Sequence, residues 1–146
     1  MGIATDAVAR ARAFVRDTGK RMAGVPPTAP RLSAVSTQLH MMRLLVRESV
    51  RRYQEIVSQP DGGVDELSSQ SFAVQMNHLK LGASEQVAEI CTQALRITGT
   101  TGYRNDSPYS VTRHLRDAHS AALMIGNERI HAANGALHMT YRDEAL

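Results

Sequence analysis

The sequence predicts an all-α protein: a mainly antiparallel four-helix bundle with three long helices and one broken one. Three observations point there. Aromatic residues make up only 4% and Trp is absent, whereas Ala, Leu, Arg, Gln and Met are plentiful, which favours helix over sheet. Apolar residues recur at steps of three and four over long windows. No stretch alternates apolar and polar residues as a half-buried strand would.

The first helix is predicted over residues 2 to 18, where Ile3, Ala7, Ala11 and Phe14 share a face and Arg10, Arg12 and Arg16 lie on others. It starts at the first residue with little room for a cap, the pattern expected of a chain cut from a longer one or joined by a partner upstream. Gly19, Gly24, Pro26, Pro27 and Pro30 predict a loop. The second helix is predicted from about Leu32, capped by Ser33, to Ser58. Val35, Leu39, Met42, Val46, Val50, Tyr53 and Val57 form its stripe. Pro60-Asp61-Gly62-Gly63 then forces a turn.

The third helix is predicted from Asp65 or Glu66 to Thr98, with Gly99 stopping it. It carries two stripes: Phe72, Met76, Leu79, Ala83, Val87, Ile90, Ala94 and Ile97, and then Leu81, Ala88, Cys91 and Leu95. Two stripes imply burial on two sides. Gly82 costs ~1 kcal/mol relative to Ala there and suggests a close helix crossing. A loop is predicted over 99–109 and a short helix from Ser110 to Ala118. After a joint at Met124-Ile125-Gly126, a last helix is capped by Asn127 and runs past Ile130, Ala133 and Leu137 towards Arg142.

Composition narrows the function classes. The 146 residues suit one helical-bundle domain spanning 1–146, and 42% apolar residues supply a core. The net charge of +3 is dispersed. The arginine clusters have no interleaved aromatics and match no reader motif, so no nucleic-acid partner is expected. No apolar run approaches ~20 residues, so no membrane span is expected. The single Cys91 excludes an internal disulfide framework and reads as a buried, inert thiol. A reducing, cytoplasmic location is the simplest expectation. His131 and His138 share a face two turns apart but lack a third ligand, so no metal site is expected. Ser107 and Ser110 have no neighbouring base that would make a nucleophile.

Residues 93–130 are the most informative stretch. They read as a helix end, a glycine turn, a basic helix with Arg113 and Arg116 on one face, and a second glycine turn. Backbone N–H groups approach an anion closely where no Cβ intervenes, so two such turns suit a phosphate-bearing ligand. His114 and His119 lie in the same segment as further phosphate candidates. Arg113 and Arg116 have a plainer use as partners of Asp106 or Asp117, holding the loop.

The order of residues here resembles the C-terminal helical domain of the acyl-CoA dehydrogenase family. That domain carries Gln-Ala-Leu-Gln-Ile-x-Gly-Gly-x-Gly-Tyr, where this chain reads Gln93-Ala94-Leu95-Arg96-Ile97-Thr98-Gly99-Thr100-Thr101-Gly102-Tyr103. A Glu-Arg-x-x-Arg-Asp-Ala helix is matched by Arg113 and Arg116-Asp117-Ala118, and Lys-x-x-x-Ser-Glu by Lys80 and Ser84-Glu85. Gly2-Ile3-Ala4 and Phe14 resemble the domain's opening, so the resemblance covers almost the whole chain.

The resemblance implies FAD as cofactor, an oligomer in which this domain touches the flavin nucleotide of a neighbouring subunit, and an acyl-CoA or carrier-bound acyl substrate. The turn at Arg96, Ile97, Thr98, Gly99 and Thr100 would meet the pyrophosphate, with Arg in place of the family Gln and Thr100 in place of the second Gly. Asn127, standing where the family has Thr, would be a further cofactor contact. Lys20 or Arg21 falls near a second family contact after the first helix. The family's base, the Glu of Tyr-Glu-Gly-Thr, falls on Ile125, which cannot take a proton, so no catalytic residue is assigned. In other members the base lies slightly upstream of Gly2.

Arg104-Asn105-Asp106-Ser107-Pro108 and 114–119 also resemble the specialised-metabolism branch, which often acts on carrier-bound acyl groups. The expected function is therefore the FAD-contacting, oligomerising C-terminal part of an acyl-CoA dehydrogenase-like oxidoreductase, inactive alone and paired with copies of itself or a complementary N-terminal half. The alternative is a non-catalytic helical scaffold that has lost flavin binding.

Overall fold

The structure, a computed structural model, describes residues 1–139. All regular structure among them is helical: α1 Gly2–Met22, α2 Ala29–Val57, α3 Val64–Leu67, α4 Gln70–Tyr103, α5 Thr112–Leu123 and α6 Asn127–His138. The all-α expectation holds. The predicted run towards Arg142 lies outside the described residues.

α4 is the central element and packs against α1, α2, α5 and α6. Cross-helix contacts fix the directions. Gly82 lies against Leu45 while Gln38 lines a groove with Glu89 and Ile90, so α2 runs opposite to α4, and Arg43 ties it to α1 at Thr5 Oγ1 (3.0 Å). His114 meets Asp6 while Ser110 O accepts from Arg10, so α5 descends along α1. Asn127 meets Ser84 and Asn134 meets Asn77, so α6 continues that descent along α4. The α5–α6 pair is the broken fourth helix.

The core gathers Ala4, Ala7, Val8, Ala11 and Val15 of α1, Val35, Leu39 and Met42 of α2, and Ile90, Cys91, Ala94 and Ile97 of α4, with Val111 and Ala118. Small residues dominate α1's contribution, which lets that helix lie close to α4. Cys91 is fully buried and desolvation pushes its thiol up to about 11, so it stays protonated.

Several boundaries differ from expectation, each for a local reason. α1 continues through Gly19 to Met22, because Gly24 and Pro26 fold over Gly19 and Ala23 caps the helix in the left-handed region at φ 50°. α2 begins at Ala29 with Pro30 in its first turn, where a missing N–H costs nothing; Ser33 is inside the helix, not its cap. The predicted third helix is split, because Ser69 ends α3 by donating to Glu66 O (2.6 Å) and starts α4 by accepting from Phe72 N (3.1 Å). One more turn follows Gly99, to Tyr103, and α5 spans Thr112–Leu123 rather than 110–118. Gly126, not Asn127, occupies the cap position of α6.

Two stripes are also corrected. Ile3 is partly exposed, with Ala4 and Val8 buried in its stead. On α2 the face carrying Val50, Tyr53 and Val57 turns to solvent, and Ile56 is buried against the Gly63 turn. Gly82 permits only an ordinary contact with Leu45 Cδ2, at 3.4 Å from an ideal Cβ, so no backbone crossing depends on it.

The α1–α5 seam predicts an acid dependence. Asp6 accepts from Arg10 Nε (2.8 Å) and meets His114 Nε2 (2.6 Å). The Arg10 hydrogen bond, opposed by desolvation and aided by His114, holds the Asp6 carboxyl below its ordinary value. A carboxylate lowered in the fold stabilises it above the unfolded value of about 4, and that contribution fades as pH falls through the folded value. Asp6→Asn is expected to be less stable at neutral pH, with a shallower loss of stability on acidification below about pH 4. Urea denaturation at several pH values checks this; parallel pH profiles for the two proteins would contradict it.

Candidate functional site

The kink in α4 places the predicted turn residues in two groups. Gly99 adopts φ 59°, ψ −143°, a conformation in practice reserved for glycine. It is exposed, and a Cβ added there would meet nothing within 4 Å. Arg96 and Thr100 are exposed beside it, and no hydrogen bond or ion pair holds the Arg96 side chain among the described residues. Ile97 and Thr98 point inward at 2% exposure each, and the Thr98 hydroxyl donates to Ala94 O (2.9 Å). The exposed part of the turn therefore offers one free guanidinium, one hydroxyl and a bare stretch of backbone.

A cleft of about 400 Å³ opens close by, lined by Phe14, Asp17, Lys20 and Arg21 of α1 with Thr101 and Tyr109. It brings the two basic residues at the end of α1 to the segment that follows the kink. Tyr109 fastens it: its hydroxyl donates to Asp17 Oδ2 (2.8 Å) and its ring meets Phe14 edge-on at 5.5 Å. The shared hydrogen bond lowers the Asp17 carboxyl and raises the Tyr109 phenol. The fastening role of Tyr109 was not legible, because its partner lies 92 residues away.

Arg113 and Arg116 both pair with Asp117 (3.4 and 3.3 Å), but all three lie within α5, so these pairs do not hold the loop; Asp106 in the loop pairs with Arg104 (2.7 Å). His114 is committed to Asp6 and His119 is exposed. No three His, Cys, Asp or Glu side chains gather into a metal-holding group among the described residues.

Asn127 stands apart from the kink. Its Oδ1 accepts from Lys80, and its Nδ2 donates to Ser84 Oγ (3.0 Å) and Glu85 Oε1 (3.3 Å). Ser84 precedes Gly99 by 15 residues, roughly 20 Å of helix at 1.5 Å per residue. The six predicted contact residues thus fall at two different levels of α4. Near Asn127 a groove of about 650 Å³ is lined by Asn77, Met124, Ile125, Arg129 and neighbours, and Ile125 is 66% exposed. None of the described residues lining it carries a carboxylate.

No helix among the described residues is long and apolar enough to cross a membrane. In a comparison with protein families, the model described as acyl-CoA dehydrogenase, C-terminal domain, matches residues 1–140. No curated protein and no solved structure matches the chain.

Proposed function

The chain belongs to the family of acyl-CoA dehydrogenase C-terminal domains, and from that premise we propose that it is the FAD-contacting, oligomerising part of an α,β-dehydrogenating flavoenzyme acting on acyl thioesters. The observation that carries this reading is the open Gly99 turn beside the unpaired Arg96. That set of groups fits a diphosphate: a guanidinium offers paired donors to phosphate oxygens, and uncovered backbone lets them approach. Gly99 and Thr100 would lie against the diphosphate and Arg96 would neutralise it. Ile97 and Thr98, both buried, would shape the turn from beneath. Lys20 and Arg21 add positive charge at the cleft that follows.

Asn127 would serve the other end of the cofactor through the first backbone N–H groups of α6, since its side chain is committed to α4. FAD, when bound, supplies the two-electron acceptor for dehydrogenation. This chain's residues would hold and orient it, and the proton-accepting carboxylate would come from elsewhere in the assembly, since Ile125 has none. The reading makes the chain part of a longer or split enzyme, cytoplasmic, assembled with copies of itself or with an N-terminal half. The exposed apolar side chains of α2 (Met41, Leu44, Val50 and Tyr53) support such packing. The resemblance at 104–108 and 114–119 points further, to carrier-bound substrates in specialised metabolism.

One observation favours a second reading, a scaffold without flavin: an isoleucine stands exposed where the family base belongs. Flavin absorbance separates the two. The chain co-purified with its N-terminal half is expected to carry bound FAD. A colourless assembly that takes up no added FAD would select the scaffold.

A further inference from the structure

α6 is docked unlike the three long helices α1, α2 and α4. α1 buries five apolar side chains, while the only buried residue of α6 is Asn134. Ile130 and Leu137 are half-buried, and the rest of its hold on α4 is a file of polar contacts. Asn127 bonds to Lys80, Ser84 and Glu85, His131 Nε2 lies 3.3 Å from Glu85 Oε1, and Asn77 Nδ2 donates to Asn134 Oδ1 at 2.7 Å. The rings of His78 and His138 stack at 5.8 Å. Nor does the approach to α6 anchor it: Leu123, Met124 and Ile125 are 79%, 82% and 66% exposed. Gly126, at φ 52°, supplies a swivel directly before the helix.

A helix held this way loses little apolar burial when it leaves, and its polar groups regain water in exchange for their partners. α1, α2 and α4 have no such option, because their separation would expose the shared core. We propose that α6 is a latch: it swings away from α4 as one unit about Gly126 while the core stays closed, widening the groove at Asn77, Ile125 and Ile130. The kink at Gly99, at another level of α4, does not move with it. The latch would thus vary access to the groove, and the contact proposed for the start of α6, without moving the turn assigned to the diphosphate, and it stands whether or not flavin binds.

Native-state hydrogen exchange on the intact chain, read residue by residue, tests it. The amides of 131–138 are expected to exchange together, about a hundredfold faster than those of 90–98. Asn134→Ala should speed the α6 amides about tenfold further without changing α1 or α4. Replacing the buried pair with an apolar one, Asn77→Leu with Asn134→Leu, should slow them. Three results would each overturn the latch: α6 amides as slow as the core, Asn134→Ala speeding α1, α4 and α6 alike, or no slowing in the apolar pair.

Discussion

Gly102→Ala is expected to lower stability by about 2–4 kcal/mol, as overpacking against a fixed neighbour does. For a chain of this length that is a fall in Tm of roughly 10 °C. A Cβ at Gly102 would lie 1.8 Å from Thr98 Oγ1 and 2.6 Å from Thr98 Cβ. Thr98 cannot yield, since it is 2% exposed and its hydroxyl is spent on Ala94 O. Turning its χ1 would move Oγ1 but leave Cβ in place. Gly102 O also accepts from Val111 N (2.8 Å), so a shift there disturbs the entry to α5. Thr98→Ala combined with Gly102→Ala should recover only part of the loss, because the Cβ clash persists. Gly135→Ala is the control, where an added Cβ meets nothing within 4 Å. Thermal and urea unfolding measure all three, and a Gly102→Ala protein as stable as the parent would show that the turn is not packed as described.

Ile90→Ala should cost about 3–4 kcal/mol and Ile90→Val about 1 kcal/mol. Ile90 is fully buried in the core cluster where α4 meets its neighbours. Its truncation removes apolar burial and leaves a cavity the helices cannot close without moving. Met41, the exposed apolar side chain lining the adjoining α2–α4 groove at 59% exposure, could lean in only at the groove side. Urea denaturation gives the two values. A cost below about 1 kcal/mol for the alanine variant would mean that the groove collapses into the site.

The helical stripes made the architecture legible, including the broken fourth helix, since burial on α4 does fall on both predicted faces. Stripe periodicity could not reveal what lies opposite a face: Val50, Tyr53 and Val57 keep the spacing of a core stripe, yet the described residues leave them 48%, 48% and 38% exposed. The α4–α6 seam was hidden for the converse reason. Asn77, Lys80, Asn127 and Asn134 look like a solvated face until the fold brings residues 43 to 57 positions apart together. At the kink the sequence named five consecutive residues as one contact surface. The 100° advance per helical residue already forbade that, and burial of Ile97 and Thr98 sorts the run into an outward and an inward set. The tie between Tyr109 and Asp17, which fixes the wall of the cleft beside Lys20, joins residues 92 positions apart and leaves no mark in the sequence pattern.

The affinity of the chain, assembled with its N-terminal half, for FAD before and after Arg96→Ala tests the central claim most directly. A lost charge-assisted bond to phosphate is worth about 1.5–3 kcal/mol, so the dissociation constant should rise about 10- to 100-fold, with Arg96→Lys between the two. Equal dissociation constants for the parent and Arg96→Ala would contradict the assignment of this turn to the diphosphate.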